Sequence, residues 1–404
     1  MTGGLTRLQV HNYRALADVD VELGPINVLF GPNGAGKSTL LDAVWFVRDC
    51  AIRDVAAASS DRDHGIGLLY DGAPDGAAIA LALSTELARY ELTLRFAAGR
   101  IDPMAGELLE STLVDEVRMR RLPGTNRVGT YDGEFGALVD HDLDEPEKLG
   151  LSQILAFGGS PSDTDGFFQV LRSLRSYHSR SFQLQRLKKF GSESGYETAV
   201  APVADNLWSV LRNLESKRRL DDRYETIMGA MRKAFPGSFD GLVIEQTGPN
   251  SVYAQFLEKG RRRPILASGV SDGHLQLLIL LTALFCKERG RFGLLLVDEP
   301  ETSLHPWALA VLAEAMVDAA RDWNTQIVLA THSPVLISQF DPSQVLAVET
   351  DGGRTRLSRL SEIDEIQDLL RDYAAGSLFM SDAVAGQSRT RPETAGTAPC
   401  ETEP

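Results

Sequence analysis

Cysteine is scarce in this chain of 404 residues: Cys50, Cys286 and Cys400 lie far apart, with neither the pairing of a disulfide framework nor the spacing of a metal site. A reducing compartment is expected, and no chemistry is assigned to the three thiols. Long apolar runs are missing too. The longest, Leu275 to Phe285, is too short to cross a bilayer, and the opening "MTGGLTRLQV" lacks the basic and apolar regions of a secretion signal. A cytoplasmic protein without a membrane partner is expected. Basic residues are in the minority, 41 Lys and Arg against 56 Asp and Glu, for a formal charge of −15. That balance argues against a surface coated for nucleic acid, yet leaves room for a local basic groove. No segment repeats at a fixed period, and no heptad persists long enough for a coiled-coil arm.

What remains has the composition of a soluble globular protein, long enough for one large domain or two medium ones. The N-terminal segment alternates in strand fashion up to "PINVLF", a short apolar run that reads as a buried strand. Strand character returns from about Ala77 to Phe96, and turn signals punctuate residues 105 to 150. From about 165 to 235, apolar residues at spacings of three and four predict short amphipathic helices. Residues 381–404, rich in Ser, Thr, Pro, Gly and Ala, read as a disordered tail.

Directly after the "INVLF" strand comes "GPNGAGKST", Gly31, Pro32, Asn33, Gly34, Ala35, Gly36, Lys37, Ser38 and Thr39, followed by the apolar helix "TLLDAVWFV". The pattern G-x-x-x-x-G-K-[ST] between a strand and a helix is a phosphate loop. Its glycines let backbone N–H groups surround phosphate oxygens at a helix N-terminus. Lys37 then reaches the β- and γ-phosphates of ATP, and Ser38 ligates Mg²⁺.

Two further strands end in chemistry. "LLLVDEPETSLHP" places Asp298 and Glu299 at the end of an apolar run suited to a parallel sheet, where α/β sheets bind ligands. Asp298 is expected to hold Mg²⁺, and Glu299 to orient or deprotonate the attacking water; the alternative is a solvated acidic turn. "QIVLATHSPVLI" ends in His332, alone a structural hydrogen-bonder but beside the other motifs a γ-phosphate sensor. The turn "SGVSDGHLQLL" opens a helix apolar almost all round. Ser271 or Asp272 there can simply cap it.

Taken in order, "NYRAL", "INVLFGPNGAGKSTLLDAV", "SDGHLQLL", "LLLVDEPETSLHP" and "LATHSPVLI" resemble the ABC-type ATPases, and within them the RecF/SMC-like branch. The resemblance covers most of residues 1 to 375. It implies an α/β P-loop NTPase, an ABC-type head with a mixed β-sheet lobe and an inserted helical subdomain. Residues 1–380 would form one head, with its core at 1–104 and 265–375 and the inserted region at 105–264. It also implies an ATP-dependent homodimer in which Ser271, Asp272 and Gly273 meet the nucleotide of the opposite subunit. Asp272, the 234 residues from Lys37 to Ser271 and the "SLHP" turn set the chain apart from a transporter energy subunit. His305 stands where transporters carry Asp. Gln153 is the candidate for the glutamine that contacts Mg²⁺ and γ-phosphate in the family, with an exposed amide as the alternative. His274 fits a phosphate contact or a surface position.

The implied task is DNA repair, recombination or anti-phage defence, as for OLD-family ATPase domains; an ATP-gated scaffold or sensor subunit in a defence complex is the alternative. The OLD nucleases continue into a TOPRIM domain, whereas this chain finishes soon after "RDYAAGSLFMSD", so a separate nuclease partner is expected if nuclease chemistry is involved. Basic clusters at Arg175–Lys189, Lys217–Arg219 and Lys259–Arg263 are either solvated faces or a DNA track with Tyr177 and Phe182 interleaved. In the second case contacts would be to the backbone and salt-dependent.

Overall fold

Three apolar runs become neighbouring parallel strands: Gly293–Asp298, Thr325–Thr331 and Ile26–Phe30. Their burial is nearly continuous, as a parallel sheet covered on both faces requires. Leu174–His178 joins beyond the first and Val345–Asp351 beyond the third, both parallel, and Arg354–Arg359 closes that edge antiparallel. The computed structural model describes residues 3–154 and 162–363. The expected tail at 381–404 and the end of the expected core, 364–375, lie outside the described residues. Among the described residues no helix is long and apolar enough to cross a membrane.

A second sheet has eight antiparallel strands, in the order Ala137–Asp142, Arg127–Asp132, Glu116–Arg121, Gly106–Ser111, Ala88–Leu94, Ile79–Thr85, Leu5–Tyr13 and Leu16–Glu22. The helix Lys37–Ile52 is packed between the two sheets. Its Leu40, Val44 and Val47 share a core with Leu8, Leu81 and Tyr90 of the antiparallel sheet and with Leu29, Leu296 and Val328 of the parallel one. Because strand side chains alternate, Val28, Val297 and Leu329 serve the opposite core.

That opposite core surrounds the helix Asp272–Phe285. Gly273 and every residue from Leu275 to Phe285 are buried, between the helices Arg223–Ala234 and Pro306–Asp322. A helix walled in on all sides needs no polar face, which explains why Gln276 and Thr282 are its only polar residues after His274. A small sheet of Ser192–Glu193, Ser251–Leu257, Gly241–Gln246 and Ile265–Leu266 feeds Val252, Ala254 and Phe256 into the same core.

The fold is the α/β P-loop head with a mixed-sheet lobe, but its internal boundaries differ from those expected. A division at residue 104 would cut the antiparallel sheet, since Ala88–Leu94 pairs directly with Gly106–Ser111. Within the stretch read as helical, Leu207–Ser216 and Arg223–Ala234 are helices, as are Ser162–Ser173 and Leu184–Phe190. The last two differ from the expected run in what separates them. Leu174–His178 between them is a strand of the parallel sheet. Leu171, Leu174 and Tyr177 recur every third residue, as on a helix face, but pairing with Gly293–Asp298 overrides that pattern.

Leu278 is fully buried at the centre of the enclosed helix. Leu278→Ala should cost about 2–5 kcal/mol of unfolding free energy, measured by urea denaturation. A loss below about 1 kcal/mol would show that the helix is not enclosed by packed core.

Candidate nucleotide site

Parallel register brings the three strand-end motifs to one edge. Asp298 lies opposite Ala330, and Thr331 opposite Phe30, so the phosphate loop, the carboxylates and His332 all leave the sheet on the same side. Gly36, at the start of the phosphate-loop helix, has φ +106°. A Cβ there would fall 2.3 Å from Thr355 Oγ1, whose hydroxyl donates to the Ala35 carbonyl. Only glycine meets both demands. Lys37 Nζ donates to the carbonyls of Gly31 (2.8 Å) and Pro32 (2.9 Å), within its own loop. Burial pulls this ammonium down to about 8, with Asp298, Glu299 and Glu301 opposing the shift.

The turn after Asp298 is tightly specified. Glu299 adopts φ +50°, and its N–H donates to the Ala330 carbonyl at 2.9 Å, carrying the strand pairing one residue further. Two residues on, Glu301 Oε1 accepts from the backbone N–H of His332 at 2.6 Å, tying the carboxylate turn to the histidine turn. His332 is half-buried. Burial, and then the Lys37 charge, lower its pKa, while the three carboxylates work the other way.

Two residues that the sequence reading did not place here come from the end of the edge strand and the turn after it. Arg180 Nε lies 2.6 Å from Glu299 Oε2, and His178 Nδ1 lies 3.3 Å from Asp298 Oδ2, its register partner. Their only advance signal was membership of a basic cluster. Within that cluster Tyr177 and Phe182 are buried and so cannot interleave with DNA, Arg180 faces Glu299, and Lys188 pairs with Asp272. The other two clusters differ. Lys259 to Arg263 is an exposed hairpin connection, and Arg218 and Arg219 are exposed at a helix end.

Gln153 does not reach the phosphates. Its amide donates to the carbonyls of Glu145 (3.0 Å) and Lys148 (3.4 Å), and it borders Ile52 and Arg53 at the far end of the phosphate-loop helix. That 16-residue helix is roughly 24 Å long, which excludes a γ-phosphate contact. The mistake arose because the strands before Gln153 extend the antiparallel sheet away from the nucleotide edge.

The turn Ser271–Gly273 forms a separate helix start. Exposed Ser271 caps the helix, its Oγ 2.7 Å from His274 Nδ1. His274 stacks on Phe235 with ring centroids 3.7 Å apart, and its Nε2 lies 3.3 Å from Ser238 Oγ. It is therefore a half-buried support for Ser271. Lys188 Nζ holds Asp272 Oδ1 at 2.6 Å and the Val270 carbonyl at 2.7 Å. A Cβ on Gly273 would lie 2.5 Å from the Ser303 carbonyl, so this helix start and the turn after Glu299 are pressed together. His305 makes no ion pair among the described residues; it caps the next helix, accepting from Trp307 N at 3.3 Å.

Comparison with known proteins agrees with this geometry. A family profile described as "AAA domain, putative AbiEii toxin, Type IV TA system" matches residues 141–338, and another described as "AAA domain" matches residues 7–48. The OLD nuclease of Thermus scotoductus is 23% identical over 373 residues, covering 89% of this chain and 65% of that protein. The DNA replication and repair protein RecF of Pediococcus pentosaceus is 43% identical over 60 residues, 15% of each chain. The chain thus spans less than two thirds of either relative. Among solved structures, an Smc head bound to the C-winged helix domain of ScpA superposes with a TM-score of 0.56 at 12% identity, covering 90% of this chain and 99% of that one. An Smc head with an extended coiled coil, bound to the C-terminal domain of ScpA derived from Pyrococcus furiosus, gives 0.53 at 12% identity, covering 91% and 99%. At such identities the likeness is one of fold. Motif order, strand-end geometry and these matches together make the chain similar to the RecF/SMC/OLD-like ATPases of the ABC type.

Proposed function

We propose that the chain binds and hydrolyses ATP as a head-to-tail dimer, and that this cycle controls contact with DNA or a partner protein in repair, recombination or anti-phage defence. The observation that carries this reading is the division of the motifs. The phosphate loop, Asp298, Glu299 and His332 share one strand edge, while the hydrogen bonds of exposed Ser271 and of Asp272 go to His274 and Lys188 and none to the phosphate loop. A helix start with free N–H groups is an anion site, and in a dimer it would meet the partner's nucleotide.

Within one subunit, Lys37 and the loop N–H groups bind the phosphates. Asp298 Oδ1 and Glu301 Oε2 are buried carboxylate oxygens without a hydrogen-bond partner, a donor set that suits a hard cation. Ser38 and Asp298 would hold Mg²⁺, which neutralises developing phosphate charge when bound. Glu299 takes the proton of the attacking water, and this requires Arg180 to release its carboxylate. His332, favoured neutral by burial, offers a hydrogen bond to the γ-phosphate. The exposed basic residues at Lys259–Arg263 and at Arg218 and Arg219 support a phosphate-backbone contact with DNA.

Glu299→Gln should accumulate as an ATP-bound dimer by light scattering, whereas Lys37→Ala should lose nucleotide binding at the phosphate loop and stay monomeric. A monomeric Glu299→Gln protein at saturating ATP would sink the dimer reading. Ser271→Arg should abolish hydrolysis while each monomer still binds nucleotide; lost binding would mean that Ser271 acts within its own subunit. By NMR titration, the His332 ring should protonate below the ordinary histidine value of about 6.5. Since the folded pKa is the lower one, its stabilising contribution is full above that pH and is lost as pH falls through the folded value. A midpoint above 6.5 would contradict a neutral sensor.

A further inference from the structure

At the opposite end of the strands from the nucleotide edge lies a cavity of about 890 Å³, within the roughly 300–1,000 Å³ of small-molecule sites. It is bordered by the beginnings of two motif-bearing strands, at Gly293 and Thr325, and by the last turns of the phosphate-loop helix, at Arg48 and Ile52. Arg48 follows Lys37 by eleven residues on that helix, roughly 16 Å along its axis, so the cavity is distinct from the phosphate loop.

The lining is cationic. Arg48, Arg172, Arg175, Lys287 and Arg291 border the cavity, and none of the described lining residues is Asp or Glu, in a chain of formal charge −15. Only Arg48 has a carboxylate partner among the described residues, Asp49 at 3.1 Å. Arg175 donates to the carbonyls of Arg172 and Leu174, and Lys287 to those of Arg291 and Trp323. Carbonyl oxygens orient these cations without neutralising them. Arg48 Nε and Thr325 Oγ1, buried atoms of two lining residues, have no hydrogen-bond partner. Buried donors of this kind are costly to leave unmet. Burial also draws Lys287 down to about 8, a shift that an anion in the cavity would reverse.

The geometry points to a second ligand site, for a compound carrying two or more phosphate groups. Guanidinium forks pair with phosphate oxygens in two-point contacts, and several of them around one bounded cavity match a compact polyanion better than a single carboxylate. The ligand is held among the side chains of Arg172, Arg175, Lys287 and Arg291, with the Arg48 guanidinium beside them.

The test uses tripolyphosphate as probe and the full chain carrying Lys37→Ala, which removes the phosphate-loop lysine. Calorimetry should show one tripolyphosphate bound per chain, with affinity that falls as salt rises. Adding Arg172→Ala and Arg291→Ala, both at exposed positions, should weaken it tenfold or more with an unchanged thermal melting curve. If Lys37→Ala binds no tripolyphosphate, or binds it equally well without the two arginines, the proposal is overturned. The second result would place the anion at the phosphate loop and would count against the role given there to Lys37. Titrating ATP into the same Lys37→Ala protein separates the two sources of such phosphate. Tenfold tighter binding than tripolyphosphate identifies a nucleotide, and equal binding identifies a free oligophosphate.

Discussion

Strand register at one sheet edge is the constraint on which the rest depends. Three loops, one of them more than 250 residues from the other two, meet at one edge only because Gly293–Asp298, Thr325–Thr331 and Ile26–Phe30 run parallel and end almost level. A slip of one residue in any pairing would turn Asp298 or the residues before Gly31 to the wrong face and exchange the members of two cores. Packing enforces the register, since Val28, Val297 and Leu329 belong to one core and Leu29, Leu296 and Val328 to the other. The chemistry is therefore held in place by apolar alternation several residues away from it.

Charge at that edge is balanced locally. Lys37 is drawn toward neutrality by burial and held charged by three carboxylates, Glu299 is matched by Arg180, and Glu301 is anchored on the His332 backbone. The separate start of the enclosed helix has its own support, with His274 stacked on Phe235 and bridging Ser271 and Ser238. In both places polar side chains are fixed by contacts within the chain.

Motifs contiguous in the chain were legible in the sequence, because a phosphate loop or a strand ending in Asp298-Glu299 combines a local pattern with a chemical reason. Partnerships formed by strand pairing were not. His178 and Arg180 meet Asp298 and Glu299 across more than a hundred residues, through an edge strand whose three-residue spacing imitates a helix. Gln153 failed for a related reason: proximity in sequence to the end of a strand says nothing about which edge of which sheet that strand reaches. Glu301 stood in plain view in "DEPET", but its hold on the His332 backbone depends on how the turn folds back. The division at residue 104 fell between two strands whose pairing makes them one unit.

Glu299 carries a further consequence. Its left-handed backbone is a conformation that a side chain with a Cβ adopts at an expense of about 1–2 kcal/mol, whereas glycine takes it freely and asparagine nearly so. A residue chosen for folding alone at this position would not be glutamate. Glutamate there leaves this turn less stable than glycine or asparagine would make it, so the protein is less stable than its own fold permits.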